Sequence, residues 1–474
     1  MSPKHRWAFL LAASYYFYMC WKMEYIVLII ASTLVDYYAG LQMGKSQDKS
    51  HRKKFLILSL ISNLGILFAF KYFSFFNDSA RAMFAQFDIT YNAPLFQVLL
   101  PVGISFYTFQ TLSYTIEVYR GNQKPEKHLG IFALYVAFFP QLVAGPIERS
   151  VNLLPQFFEK HKFEYERVRD GLILILWGLF KKVVIADRVA VVANTVFNAP
   201  EQANGVQVVI GTVFFAFQIY CDFSGYSDMA IGSAQLLGFR LMRNFDRPYF
   251  SKTIAEFWKR WHISLSSWFR DYLYISLGGN RVGIKRWYLN LLVTFTISGL
   301  WHGAAWTFVI WGALNGAYLI LEVVTQRPKS WLLGVLKIES QSWLFKITSV
   351  AGTFALTCFA WIFFRANSLS DALYMINKLG SGWAELSSSL LSRNFAYTSG
   401  LLKGLGLSQV DFLIAVGSIF FLEVIHFVQR RGSGRALLRK QPTAVRWAFY
   451  YSLLAAILFL GAFNQSQQFI YFQF

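Results

Sequence analysis

Apolar runs long enough to cross a bilayer recur from one end of this chain to the other. A crossing helix needs about 20 predominantly apolar residues, and in hydrocarbon its backbone must satisfy itself. Only 15% of the 474 residues are charged and 55% are hydrophobic, whereas soluble domains carry about 25% charged residues. These features predict an all-α polytopic membrane protein, a single membrane domain over 1–474. Roughly eleven spans are expected, with short interfacial or re-entrant helices between them.

The charge distribution orients those spans. The formal charge is +20, and its basic residues flank apolar runs instead of lining one soluble face. That arrangement suits anionic lipid headgroups and cytoplasmic loops better than nucleic acid. Lys45 to Lys54 is the clearest cytoplasmic signal of the first half, and Arg430 to Arg446 repeats it near the end. Two crossings back from Lys45 put Lys4 and Arg6 inside as well. Tyr15 to Trp21 is bulky where a signal peptide would have a small-residue cleavage site, so a retained first helix is expected. The last span, Trp447 to Phe463, then leaves Phe469 to Phe474 outside. Cys20, Cys221 and Cys358 are scattered through apolar runs, and without a CxxC pair or clustered ligands no structural metal is predicted.

Between these landmarks, a span at 55–73 should exit to a polar outer loop around Asn77 to Asn92. Pro140, Gly145 and Pro146 suggest a broken or re-entrant element, allowed at membrane depth where protein or water shields it. Asn152 to Asp170 reads as an interfacial helix. Spans follow at Gly171 to Ile185 and Val206 to Cys221. Asp222 and Asp228 come next, either lining a polar cavity or, as a helix-start signal, capping a helix from Met229 to Phe239. Spans near 345–364 and 411–428 are separated by a polar, Gly/Ser-rich outer segment.

Two stretches carry chemistry. From Arg240 to Arg286 there are ten basic residues against three acidic ones. Thr253 and Glu256 suggest a capping box, and Ile254, Phe257, Trp258, Trp261, Leu265, Trp268, Phe269 and Tyr272 recur at helical spacing. This predicts an amphipathic interfacial helix with His262 at the edge of its apolar stripe. The second stretch runs from Ser298 to Trp306 and holds one ionisable group, His302, among small residues. Gly299 with Gly303, and Gly312 with Gly316, would let neighbouring helices approach closely. An ionisable group at membrane depth is a functional-site hypothesis by default; the bland alternative is a histidine hydrogen-bonded between packed helices. An imidazole can take a hydroxyl proton or protonate a leaving group. Basic residues such as Lys259 and Arg260 could hold the phosphates of an acyl donor such as coenzyme A, or could simply mark a cytoplasmic loop. No Walker loop, GxSxG or HExxH is present.

Trp301-His302-Gly303-Ala304-Ala305-Trp306-Thr307 resembles the signature-histidine motif of the membrane-bound O-acyltransferases, specifically the bacterial branch typified by the membrane subunit of alginate O-acetylation. Pro101 to Gln110, Phe139 to Ile147, Tyr220 to Gly232, Phe257 to Ser266, Arg270 to Ile275 and Leu277 to Asn280 extend the likeness over nearly the whole chain. The resemblance implies helices around a central channel, His302 as the catalytic histidine and His262 as a second active-site residue. It implies a cytoplasmic acetyl-CoA donor, transfer across the bacterial inner membrane, and O-acetylation of an exported polysaccharide. It further implies a periplasmic SGNH-type partner, contacted by the aromatic tail with Phe469, Phe472 and Phe474. Members of this family usually begin with an extra apolar helix ahead of the segment that here starts at Arg6, so the chain departs from the pattern there. Two other functions remain compatible with the sequence: D-alanyl transfer to teichoic acid from a carrier protein, and transport or flipping without group transfer. The latter usually shows internal repeats, and none is visible.

Overall fold

In the computed structural model, residues 5–91, 100–335, 339, 341–432, 434–465 and 467–472 are described. Among them every regular element is helical, and seven helices are long and apolar enough to cross a membrane. The polytopic α-helical architecture is as expected.

Three helices converge around Lys71, Gly303 and Arg365. The first runs Lys49–Leu67, continues through a π-turn at Phe68–Tyr72, and reaches Ala85. Asp48 starts it by accepting from the backbone N–H groups of His51 and Ser50, which holds its carboxyl below the usual carboxylate range. The second, Ile284–His302, follows the basic stretch around Arg281 and ends on His302, roughly 28 Å along at 1.5 Å per residue. The third, Trp343–Arg365, ends on Arg365. Helix Trp306–Val335 packs along Ile284–His302.

Glycines set how close those helices come. A Cβ on Gly299 would stand 2.2 Å from the carbonyl oxygen of Phe308, and one on Gly312 would stand 2.3 Å from that of Phe295. The same device recurs between Tyr165–Phe180 and Gly205–Leu237, where Cβ atoms on Gly178 and Gly225 would meet each other's backbone at 2.4 and 2.7 Å. Without side chains at these points the backbones touch and dispersion contacts replace a hydrophobic driving force that lipid does not supply.

Several expected elements are redrawn. The helix from Lys49 extends to Ala85, so most of the predicted outer loop at Asn77 to Asn92 is helical. Asn152 to Asp170 is not one interfacial helix: short turns at Ser150–Phe157 give way to an irregular stretch before the helix at Tyr165. The expected break after Leu129–Ala137, at Phe139–Leu142 and the proline-rich turn following, is present. Gly205–Leu237 is a single 33-residue helix, so Asp222 and Asp228 do not cap a helix at Met229. The Gly/Ser-rich segment between the late spans folds into short helices at Leu369–Lys378, Trp383–Leu391 and Ala396–Lys403.

Gly312→Val should lower stability by about 1–3 kcal/mol or more through overpacking, read as the thermal midpoint of the detergent-solubilised protein. Gly352→Ala, where a Cβ meets nothing within 4 Å, should leave that midpoint unchanged or raised.

Candidate active site

The predicted amphipathic helix is broken at His262. Helix Ile254–Arg260 stops, His262 takes a left-handed backbone with φ 42°, and a second helix starts at Ile263. A non-glycine residue in that region is strained, and its persistence requires surroundings that hold it. Asn244 supplies the hold. Its carbonyl oxygen accepts from the Ser264 backbone N–H at 3.2 Å and from the Ser264 hydroxyl at 3.0 Å. Its backbone oxygen accepts from Ile263 N–H at 2.9 Å. The break turns His262 inward: instead of the edge of an apolar stripe at the water boundary, it is 0% exposed.

The same contacts fix the tautomer of His262. Because a backbone N–H can only donate, the Asn244 atom it meets must be oxygen. The ring Nδ1, 3.1 Å from that oxygen, must therefore donate. A neutral His262 then keeps an unprotonated Nε2, and that nitrogen has no protein partner.

His302 is the last residue of its helix, with Gly303 extended and the next helix starting at Trp306. The stretch from Ser298 to Trp306 is therefore not one continuous helix: it is interrupted after His302. The ring is buried, and both of its nitrogens are without a protein partner. Lys71, on the π-turn, holds the helix end by donating to the carbonyl oxygens of Trp301 at 2.8 Å and His302 at 3.0 Å. Such π-turns often sit at functional sites.

The two histidines meet across two shared rings. Trp301 stands 6.1 Å from His262 and 5.0 Å from His302, centroid to centroid. Tyr471 stands 6.3 Å from His262 and 5.7 Å from His302. Phe106 packs against His262, and Trp311 and Phe364 close the far side of His302. The Tyr471 hydroxyl and the Trp301 indole nitrogen are also buried without a protein partner. A cluster of unpartnered polar groups walled by aromatic rings is costly, and it can bind a polar reactant.

Tyr471 arrives there because the tail folds back into the molecule. Lys182 bridges Asp187 at 2.8 Å and Asp222 at 2.9 Å, and it donates to the carbonyl oxygen of Gln467 at 2.9 Å. Ile470 N–H donates to the other oxygen of Asp222 at 2.7 Å. Asp222 is thus a buried anchor for the tail. Phe469 is 2% exposed and packs on Tyr226 and Phe223, so the expectation that it contacts a partner is replaced by an inward packing role. The side chain of Phe472, and the whole of Phe474, lie outside the described residues. Of the two predicted donor-binding cations, Lys259 is exposed and Arg260 is engaged by Glu256 at 2.6 Å. Reasoning along the sequence missed Asn244, Lys71, Lys182 and the inward turn of Tyr471. Lys182, Asp187 and Asp222 as charges within apolar runs were the signal available for the tail.

The profile of the membrane-bound O-acyltransferase family matches residues 8–368. The chain belongs to that family. It is 37% identical over 488 residues to a Pseudomonas putida protein named probable alginate O-acetylase AlgI, covering 99% of this chain and 95% of the relative. A Pseudomonas aeruginosa protein of the same name is 40% identical, covering 80% of this chain and 70% of its own length. A Helicobacter pylori peptidoglycan O-acetyltransferase is 34% identical, with coverage of 98% and 91%. The protein is a multi-pass membrane O-acyltransferase.

Lys182→Met leaves two carboxylates buried and uncompensated, and should cost roughly 3–5 kcal/mol. Limited proteolysis should show the tail around Gln467 becoming cleavable, with Lys182→Arg retaining most of the protection.

Proposed function

We propose that this acyltransferase takes acetyl from cytoplasmic acetyl-CoA and delivers it across the bacterial inner membrane for O-acetylation of an exported polysaccharide. The observation that carries this reading is the meeting of His262 and His302 on Trp301 and Tyr471, with the ring nitrogens His262 Nε2, His302 Nδ1 and His302 Nε2 unpartnered. Donor and acceptor then come from opposite ends. Lys259 and Arg260, on the basic side, attract the phosphates of the donor. The acceptor reaches His302 from the end where the three helices converge. A periplasmic SGNH-type protein works at that end, and the C-terminal tail enters the molecule from there.

In the reaction His302 takes the proton of the acceptor hydroxyl as its oxygen bonds to the acetyl carbonyl carbon. The carbon–sulfur bond breaks, and the coenzyme A thiolate leaves with the proton that His302 returns. His262, its tautomer fixed by Asn244, presents Nε2 to the same space and orients the reacting groups. Aromatic walls keep bulk water from competing for the acetyl group.

His302→Ala should reduce acetyl transfer at least about 10²-fold, the usual weight of a general base, with normal membrane abundance. His262→Ala should reduce it, and Asn244→Leu should do so to a lesser degree. The measurement is labelled acetyl passed from acetyl-CoA to surface glycan, alongside O-acetyl content in cells. Unchanged transfer by the His302 variant would overturn the proposal.

A further inference from the structure

The chain from Phe239 to Phe245 has no regular secondary structure, yet it carries Asn244, the residue that fixes the tautomer of His262. Its hydrogen bonds fall on alternate residues, as along one edge of a β-strand. Arg240 gives its N–H to the side-chain oxygen of Gln156 at 2.8 Å, and its carbonyl accepts from the Gln156 amide at 2.9 Å. Met242 N–H donates to a carboxylate oxygen of Glu148. The Asn244 carbonyl accepts from Ile263 N–H at 2.9 Å, and Asp246 N–H donates to the carbonyl of Arg260 at 2.9 Å. Two side chains stand in for a partner strand along one half of the segment. The backbone on either side of His262 serves the other half.

Glu148 follows the proline-rich turn and is 1% exposed. Its main-chain oxygen accepts from the Tyr135 hydroxyl at 3.2 Å, which ties it to helix Leu129–Ala137. Among the described residues no Lys, Arg or His nitrogen lies within 4.0 Å of its carboxylate. A buried carboxylate without a close cation is unfavourable, and the group it holds instead is the Met242 N–H. A carboxylate accepts a stronger hydrogen bond than a neutral oxygen does. That suits a segment with no ladder of its own.

We infer that Glu148 is a positioning residue for acyl transfer: it fixes the main chain at Met242, two residues before Asn244, and so sets where the Asn244 oxygen meets His262 Nδ1. This rests on the reading of His262 as part of the acyl-transfer site. Gln156 clamps the segment at Arg240, and the Ser227 hydroxyl takes an N–H of the Asn244 amide at 3.2 Å. Glu148 is the hold between those two points. With the Asn244 oxygen in place, Nδ1 of His262 carries the proton and Nε2 is left bare; with that oxygen displaced, the preference between the two nitrogens is lost. Glu148 acts on the reaction only through this chain of contacts, and its acceptor oxygen matters more than its charge.

The test reads the imidazole directly, so that it stands or falls separately from catalysis. The full chain, with its seven histidines labelled with nitrogen-15, is placed in lipid vesicles for solid-state NMR, and the His262 signals are assigned by their loss in His262→Gln. The wild type should show a protonated Nδ1 and a bare Nε2. Glu148→Leu should lose that pattern, and Glu148→Gln, which keeps an acceptor oxygen, should restore it. Glu148→Asp, with the acceptor drawn back by one methylene, should fall between them and serves as the milder variant if Glu148→Leu does not fold. Folding is checked by helical signal and thermal midpoint. In vesicles given labelled acetyl-CoA, with the membrane glycan as acceptor, Glu148→Leu should lower kcat about tenfold at unchanged KM for the donor. Adding Glu148→Leu to Asn244→Leu should lower it no further. A wild-type His262 pattern in folded Glu148→Leu and Glu148→Asp, a loss in Glu148→Gln equal to that in Glu148→Leu, or multiplying losses in the double variant would each overturn the inference. Unchanged transfer by His302→Ala overturns instead the reading of the site, and leaves the NMR result to decide the role of Glu148.

Discussion

One ammonium holds the interior of this protein together. Lys182 lies at the join between the helix from Tyr165 and the helix Asp187–Asn198, and its charge is shared by Asp187 and Asp222. At membrane depth none of these three charges is tolerable by itself, because each would have to be desolvated without return. Together they are satisfied, and the lysine still has a proton to give to the tail at Gln467. The second oxygen of Asp222 takes the Ile470 N–H. The tail is thereby held by main-chain hydrogen bonds to a rigid charge pair, and the Tyr471 ring is set against both imidazoles.

The fold class was legible in the sequence because spanning a bilayer imposes a length and an apolarity that composition cannot hide. Apolar runs at 343–365, 409–428 and 443–460 could be located within a few residues for that reason. Failures fell where a local rule lost to a distant contact. Asp222 followed a serine-rich, helix-start pattern, yet the helix runs straight through it because Lys182 supplies the counter-charge from another segment. His262 sat in an unbroken helical period, and only the hydrogen bonds accepted by Asn244, 18 positions away, explain the left-handed turn. His302 was identifiable from its solitude among apolar residues. The carbonyl-capping Lys71, 231 positions distant, was not.

The candidate site also shows how a membrane protein can keep unpartnered polar atoms. The π-turn at Phe68–Tyr72 brings Lys71 to the end of a neighbouring helix, and the break at His262 places its ring against Trp301. Both are local irregularities that would destabilise an isolated helix. Their cost is offset by tight packing elsewhere, notably where glycines let Ile284–His302 and Trp306–Val335 touch. The rigid crossing and the strained turns therefore belong to one arrangement, in which regular helices carry the stability that the irregular positions give up.

The inward-folded tail has a consequence for how the protein is made. Tyr471 completes a wall whose other parts come from Phe106, His262 and Trp301, between 170 and 365 positions earlier. During synthesis every preceding helix is inserted before that wall can close, so the buried triad of Lys182, Asp187 and Asp222 spends its early life without its last hydrogen-bond partners. Until residues 467–471 fold in, the candidate site lacks the Tyr471 ring that stands against both imidazoles. Closure of the candidate site is thus tied to a segment translated after all the helices that surround it, and a chain halted before residue 467 would insert with that wall open.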